Sequence, residues 1–275
     1  HIGHYAVTGR ALAHVFETLR AADPGLEMAA VVSASGSAGT LAMGDRLKEE
    51  FGAKIVAVEA LECPTMLYNG FGEHNIQGIG DKHIPLIHNV MNTDLVAGIS
   101  DDATDGLHLV FTTDVGKKYL VDQLGVAPGI VDQLVHFGFS SICNMLAAIK
   151  TAKPLDLGPS DVLMSVATDG SELYKSEKAT LLAERYPGGF TEVDASSIVG
   201  QHLIGADTQH IEELDHVARS RIFNLGYYTW VEQQGVSLED FEVRRHQAFW
   251  SQLHQMTPGW DAMIDEFNGA TGVTP

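Results

Sequence analysis

Cysteine is scarce in this sequence, and so is positive charge. Only Cys63 and Cys143 occur among 275 residues, without a CxxC pair, which argues against a disulfide framework or a zinc ribbon and suits a reducing compartment. Lysine and arginine total 17 against 36 aspartates and glutamates, a formal net charge of -19. So acidic a chain opposes a polyanion, and nucleic acid is not an expected partner. No apolar run reaches the roughly 18 to 20 residues that a membrane helix needs, and the amino end lacks a basic-plus-apolar signal pattern. Internal repeats and low-complexity tracts are also missing. A cytoplasmic protein without a membrane partner is expected.

What is present is an alternation of strand and helix patterns. Ala11, Leu12, Val15, Phe16 and Leu19 recur at helical spacing, and Asp23-Pro24-Gly25 ends that segment. Met28–Val32 is an apolar run suited to a strand buried on both faces, followed by a loop of small residues and a helix to about Leu47. Lys54–Glu59 reads as the next strand, at the distance of a right-handed βαβ unit. Leu107–Phe111 and Asp161–Val166 are further strand candidates, with helices at Asp114–Leu124 and Ser140–Thr151. After about Tyr174 the pattern turns helical, including Ile211–Leu225 and Leu238–Leu253, and a frayed tail is expected from Thr257. These patterns predict an α/β domain over residues 1–176, of three αβα layers with a largely parallel sheet, and a mainly helical extension over 177–275.

The loop Gly36-Ser37-Ala38-Gly39-Thr40 stands between a predicted buried strand and a helix. Small residues there let backbone amides approach a ligand, and the helix amino end adds positive partial charge, so a phosphate site is expected. Ser37 and Thr40 add hydroxyl donors. Tight packing of the turn is the competing explanation. The loop is neither a Walker A motif nor a GxGxxG fingerprint.

The ordered context is more specific. Ser33–Thr40 followed by Lys54–Glu59, then Ile76-Gln77-Gly78-Ile79-Gly80 with Ile84-Pro85, then Gly138-Phe139-Ser140-Ser141, then Leu157–Val162 leading into Ala167-Thr168-Asp169-Gly170, closely resembles the cysteine synthase family of pyridoxal-phosphate enzymes. Gly3-His4-Tyr5 with Thr8-Gly9 is similar to the segment preceding that family's phosphate loop. The family's loop usually reads Gly-Thr-Gly-Gly-Thr, so Ser37 and Ala38 depart from it.

The resemblance implies a fold-type II large domain with pyridoxal 5'-phosphate as cofactor. Gly36, Ser37, Ala38, Gly39 and Thr40 would hold its phosphate, Ser140 would face the ring nitrogen, and Gly78 and Gly80 would lie on the substrate side. For Gly78 and Gly80 a turn needing positive φ is the plainer alternative. The implied activity is β-elimination or β-replacement on a small amino acid, in a homodimer, with a dehydratase or desulfhydrase as the alternative within the superfamily. The family's Schiff-base lysine and its cofactor-facing asparagine lie upstream of every matched motif, and Lys48, Lys54, Lys82 and Lys150 occupy none. The expectation is therefore a carboxyl-terminal portion of a longer enzyme, inactive alone. A non-catalytic anion-binding or regulatory protein that kept the loop is the alternative from another class.

Other features weigh less. Gly98-Ile99-Ser100 with Asp101, Asp102 and Asp105 reads as an acidic surface loop, without EF-hand spacing. Thirteen histidines include no HExxH motif or paired Cys/His spacing, so no metal is expected. Cys143 reads as a small core residue, and Tyr227, Tyr228 and Trp230 as a packing cluster of the extension.

Overall fold

The computed structural model describes residues 1–273. A wide turn at His4–Thr8 runs into α1 (Gly9–Ala22), followed by β1 (Glu27–Ala34), α2 (Leu41–Phe51), β2 (Lys54–Ala60), α3 (Thr65–Tyr68) and β3 (Leu95–Ile99). Then come α4 (Asp101–Thr112), α5 (Asp114–Asp122), α6 (Pro128–Gln133), α7 (Phe139–Ala152), β4 (Asp161–Met164), α8 (Lys175–Arg185) and α9 (Glu192–Ile198). The chain closes with β5 (Ile211–Glu213), α10 (His216–Tyr227), α11 (Leu238–Glu242), α12 (Gln247–His254) and α13 (Thr257–Thr271). Among the described residues no helix is long and apolar enough to cross a membrane.

The five strands form one sheet in the order β4-β1-β2-β3-β5. The first four are mutually parallel, and β5 joins β3 antiparallel. Both faces are covered. Val32, Val56, Val58 and Ala97 pack with Leu107, Phe139, Ile142 and Leu146 from α4 and α7 on one side, while Ile55, Ala57 and Val96 pack with Leu41, Ile222 and Phe223 on the other. This burial on both faces explains why the strands read as continuous apolar runs rather than as alternation. The three-layer α/β reading with a largely parallel sheet is borne out.

Five local readings are corrected. Leu107–Phe111 is not a strand but part of α4, every residue of which from Ala103 to Phe111 is buried. A helix buried all round carries no amphipathic period, and its short apolar runs look like those of a strand. The acidic surface loop at Gly98–Asp105 is the end of β3 and the start of α4: the Ser100 hydroxyl accepts from the Ala103 amide at 3.2 Å, and Asp101 and Asp102 sit in the first turn, where the helix dipole favours them. Asp105 is buried and paired with Arg185 at 2.8 Å.

Ile211–Glu213 is an edge strand, and its helix starts only after Asp215 caps it by accepting from the Ala218 amide at 2.7 Å. Three residues are too few for a period to register. The stretch Leu238–Leu253 is two helices, interrupted by a tight turn at Val243–Arg245. The tail from Thr257 is helical to Thr271, closed by Gly272 at φ 72°, with no buried residue along its length.

Candidate functional site

The chain leaves β1 toward α2 and β2 on one side, while β4 arrives on the other side of β1. That reversal is the switch point of an open α/β sheet, where the carboxyl ends of adjacent strands diverge and leave a crevice. A cavity of about 170 Å³ lies there, lined by Ser33, Gly36–Ala38 and Thr40, by Gly78 and Ile79, and by Ser140, Asn144, Thr168 and Asp169. Four stretches of sequence singled out separately thus meet around one space.

The loop is shaped as a donor cradle. Ala38 is buried with φ 64°, a left-handed conformation uncommon without glycine, and alternating backbone hands turn successive N–H groups toward one side. No amide from Gly36 to Thr40 donates to an acceptor among the described residues. The loop is anchored at its start by Ser35, whose amide donates to Val58 O at 2.8 Å and whose carbonyl accepts from Gly80 N at 2.9 Å. At its end the Ser33 hydroxyl donates to Thr40 Oγ1 at 2.7 Å. A Cβ on Gly39 would come 3.0 Å from the His4 ring, so the amino-terminal segment backs the loop closely.

Gly78 and Gly80 both have positive φ, 84° and 90°. Gly78 faces the cavity; Gly80, like Gly39, stands behind its lining. Gly80 serves as the clasp to Ser35 described above, and a Cβ there would collide with His74.

Opposite the loop, Ser140 lies in the first turn of α7, with its Oγ 3.4 Å from Thr168 Oγ1. The Gly138 amide donates to Asp169 O at 2.7 Å, and the Tyr174 hydroxyl donates to Asp169 Oδ2 at 3.1 Å. Asp169 is the only ionisable group lining the cavity, and no lysine or arginine does so. Any anion there would be held by backbone dipoles and hydroxyls.

Sequence reasoning missed Asn144. It sits one turn after Ser140 on α7; its Oδ1 accepts from the Ala34 amide at 2.7 Å and its Nδ2 donates to Val166 O at 3.1 Å. It thereby pins the end of β1 to the exit of β4. The i+4 spacing from Ser140 was the available signal, since it places both residues on one helix face. Glu59 was missed too: at the end of β2 it accepts from the Met66 and Leu67 amides at 2.8 Å each, and burial raises its carboxyl to about 7 despite those bonds. Cys143 is buried in the core as read, its thiol pushed up by burial. His83 pairs with Asp81 and packs edge-on against Trp230, away from the cavity.

An open, mostly parallel α/β sheet with a cavity at its switch point defines the class of fold. No family model matches the chain. A curated relative, cysteine synthase B of Campylobacter jejuni, is 30% identical over 162 residues, which take in 58% of this chain and 46% of that protein. The chain spans about half the length of the curated relative it matches. Among solved structures, a hydrogen sulfide-producing enzyme from Fusobacterium nucleatum superposes with a TM-score of 0.52 at 22% identity, over 78% of this chain and 52% of that one. A cysteine synthase from Entamoeba histolytica gives a TM-score of 0.49 at 26% identity, over 72% of this chain and 52% of its own. The resemblance read from the motifs is borne out: the chain is similar in sequence to cysteine synthase B and shares the α/β fold of the hydrogen sulfide-producing enzyme.

Proposed function

We propose that the cavity holds pyridoxal 5'-phosphate, with Gly36, Ser37, Ala38, Gly39 and Thr40 cradling the phosphate and Ser140 bonded to the ring nitrogen. The observation that carries this reading is the run of undirected amides from Gly36 to Thr40, which faces, across one cavity, a hydroxyl pair at Ser140 and Thr168. The cradle suits a phosphate: its backbone donors are unpaired, it stands at the amino end of α2, and the loop Gly36–Thr40 itself carries no side chain larger than threonine. Bound there, this cofactor supplies an electron sink for chemistry at the α and β carbons of an amino acid.

The residues of the chain tune that sink. A neutral hydroxyl at Ser140, unlike a carboxylate, does not hold the ring nitrogen protonated, which weakens the sink and favours prompt loss of a β-substituent over a long-lived carbanion. One carboxylate oxygen of Asp169, at the cavity wall, is engaged by the Tyr174 hydroxyl. Gly78 keeps the substrate side open. The reading is β-elimination or β-replacement on a small amino acid, in a cytoplasmic homodimer, with the Schiff-base lysine supplied from outside these 275 residues.

A second reading, an anion-binding or regulatory protein without turnover, is favoured by the lysine-free lining of the cavity. Two measurements separate the readings. Titration of the chain with pyridoxamine 5'-phosphate, which cannot react with stray lysines, should give saturable binding that inorganic phosphate competes and Thr40→Val weakens; no saturable binding refutes the cofactor site. The full gene product with pyridoxal phosphate should then show an imine absorption band abolished by borohydride. Binding without that band supports the regulatory reading.

A further inference from the structure

A second constellation lies on the far side of α2 from the cradle, where the amino-terminal segment meets α12. Asp45, on the second turn of α2, is 6% exposed, with Oδ1 accepting from Asn92 Nδ2 at 2.6 Å and Oδ2 from Asn89 Nδ2 at 3.1 Å. His1 Nδ1 is 3.1 Å from the carbonyl of Ile87. A carbonyl only accepts, so this contact places a proton on Nδ1. In the neutral ring the other nitrogen then bears a lone pair. That nitrogen, Nε2, stands 3.3 Å from Asp45 Oδ2 and 3.0 Å from His254 Nε2. All three donor atoms lie within 4.8 Å of one another.

His254 can donate one hydrogen toward His1, but nothing then separates the His1 lone pair from the carboxylate. A positive centre, either a proton or a metal ion, relieves that contact. The dimensions of the triangle distinguish an ion from a shared proton. A charge-assisted N–H···O bond is about 2.7–2.9 Å long, shorter than the separation of His1 from Asp45. Donors around a tetrahedral ion with bonds of about 2.0–2.1 Å stand roughly 3.3–3.4 Å apart, which matches the 3.3 Å between His1 Nε2 and Asp45 Oδ2, while the 3.0 Å between the two imidazole nitrogens is somewhat shorter.

The surroundings are those of a built site. The Nδ1–H···O=C contact of His1 is the outer-shell bond that orients metal-ligating imidazoles. Asn89 and Asn92 orient the carboxylate, and Asn89 and Gln247 exchange two amide hydrogen bonds of 2.9 and 3.0 Å. The His254 ring stacks on Tyr5 with centroids 3.5 Å apart.

We propose that His1 Nε2, Asp45 Oδ2 and His254 Nε2 bind a divalent transition-metal ion of the zinc class. The fourth position opens to an adjoining cavity of about 210 Å³ lined by Lys48, Glu49 and Ser251 among others. Two imidazoles and one carboxylate suit zinc, cobalt or nickel, and not the all-oxygen shells of calcium or magnesium. The ion staples the amino-terminal segment and the extension to α2, the helix that the phosphate loop opens.

The test uses the chain with a methionine preceding His1, so that no free amine adjoins that ring, titrated with cobalt(II) alone. One equivalent should bind with the intense visible band of tetrahedral cobalt, and zinc should displace it. His254→Gln should weaken binding by more than about a hundredfold, beyond the loss typical of an outer-shell change, with the far-ultraviolet circular dichroism unchanged. Asp45→Asn should weaken it likewise, and exposed His14→Gln should not. If Asp45→Asn fails to fold, His254→Gln still decides. Absence of a stoichiometric tetrahedral band, or a band that survives His254→Gln, overturns the proposal and leaves the triad as an imidazolium–carboxylate pair.

Discussion

Replacing Asn144 tests how the cradle is positioned. Its side chain makes two hydrogen bonds, to Ala34 N and to Val166 O, and Asn144→Ala leaves both backbone groups without that partner in a partly buried wall of the cavity. An unsatisfied buried polar group costs about 1–3 kcal/mol, so a loss of roughly 2–4 kcal/mol is expected. At this chain length each kcal/mol is worth about 2–4 °C, and the transition should fall by roughly 4–16 °C in a calorimetric scan. Asn144→Asp should be no better at neutral pH, because one carboxylate oxygen replaces the amide donor and faces the Val166 carbonyl. The affinity for pyridoxamine phosphate, measured well below the transition, should fall about tenfold, since the loop loses its tie to β4. Phe223→Leu in the distant core beneath α10 provides a control of similar destabilisation. Stability within about 0.5 kcal/mol of the parent, on the scale of ordinary surface changes, or an affinity loss equal to that of the control, would refute the reasoning.

Three further outcomes are expected. Ala38→Gly should be neutral or stabilising by up to about 1 kcal/mol in urea denaturation, because relief at φ 64° offsets the extra unfolded-state entropy; Ala38→Val should be clearly destabilising. Gly138→Ala would place a Cβ 2.7 Å from Asp169 O and 2.7 Å from the Tyr174 ring, and should cost about 1–3 kcal/mol while also weakening cofactor binding. His108 is fully buried, stacked on Phe139, and neither ring nitrogen has a partner; burial, with a smaller contribution from Lys178, lowers its pKa to about 4. The folded state therefore resists protonation that the unfolded chain accepts below about 6.5, and this contribution is present above that pH and lost as pH falls toward 4. His108→Leu should be more stable than the parent, and its advantage should grow by about 2 kcal/mol between pH 7 and pH 5 in matched denaturation curves; an advantage that shrinks on acidification would reverse the sign of the argument.

The loop, the glycine signature and the serine turn were legible because each needs particular residue types in a fixed order: small residues for close backbone approach, glycine for the positive φ of Gly78 and Gly80, a hydroxyl at the start of a helix. The strands β1 and β2 were legible for the same reason that they are central, since burial on both faces leaves an unbroken apolar run. The reading failed where burial erased periodicity, at α4, and where an element was too short to have any, at β5. Asn144 passed unnoticed because an asparagine within an apolar helix says nothing until its partners are known. Ala34 and Val166 lie 110 and 22 residues away from it.

By itself the sequence determined which backbone amides would be left without an acceptor in the loop, because that depends on local conformation and side-chain size. It determined the α/β class as well, through the alternation of short apolar runs with helical periods. Only the tertiary structure decided that Gly36–Ala38, Thr40, Gly78 and Ser140 border one cavity, because that follows from the placement of β4 beside β1. Likewise, His1, Asp45 and His254 come together solely through the packing of the amino-terminal segment and α12 on α2. Long-range juxtaposition is set by how whole elements bury their apolar faces, and no local pattern records it.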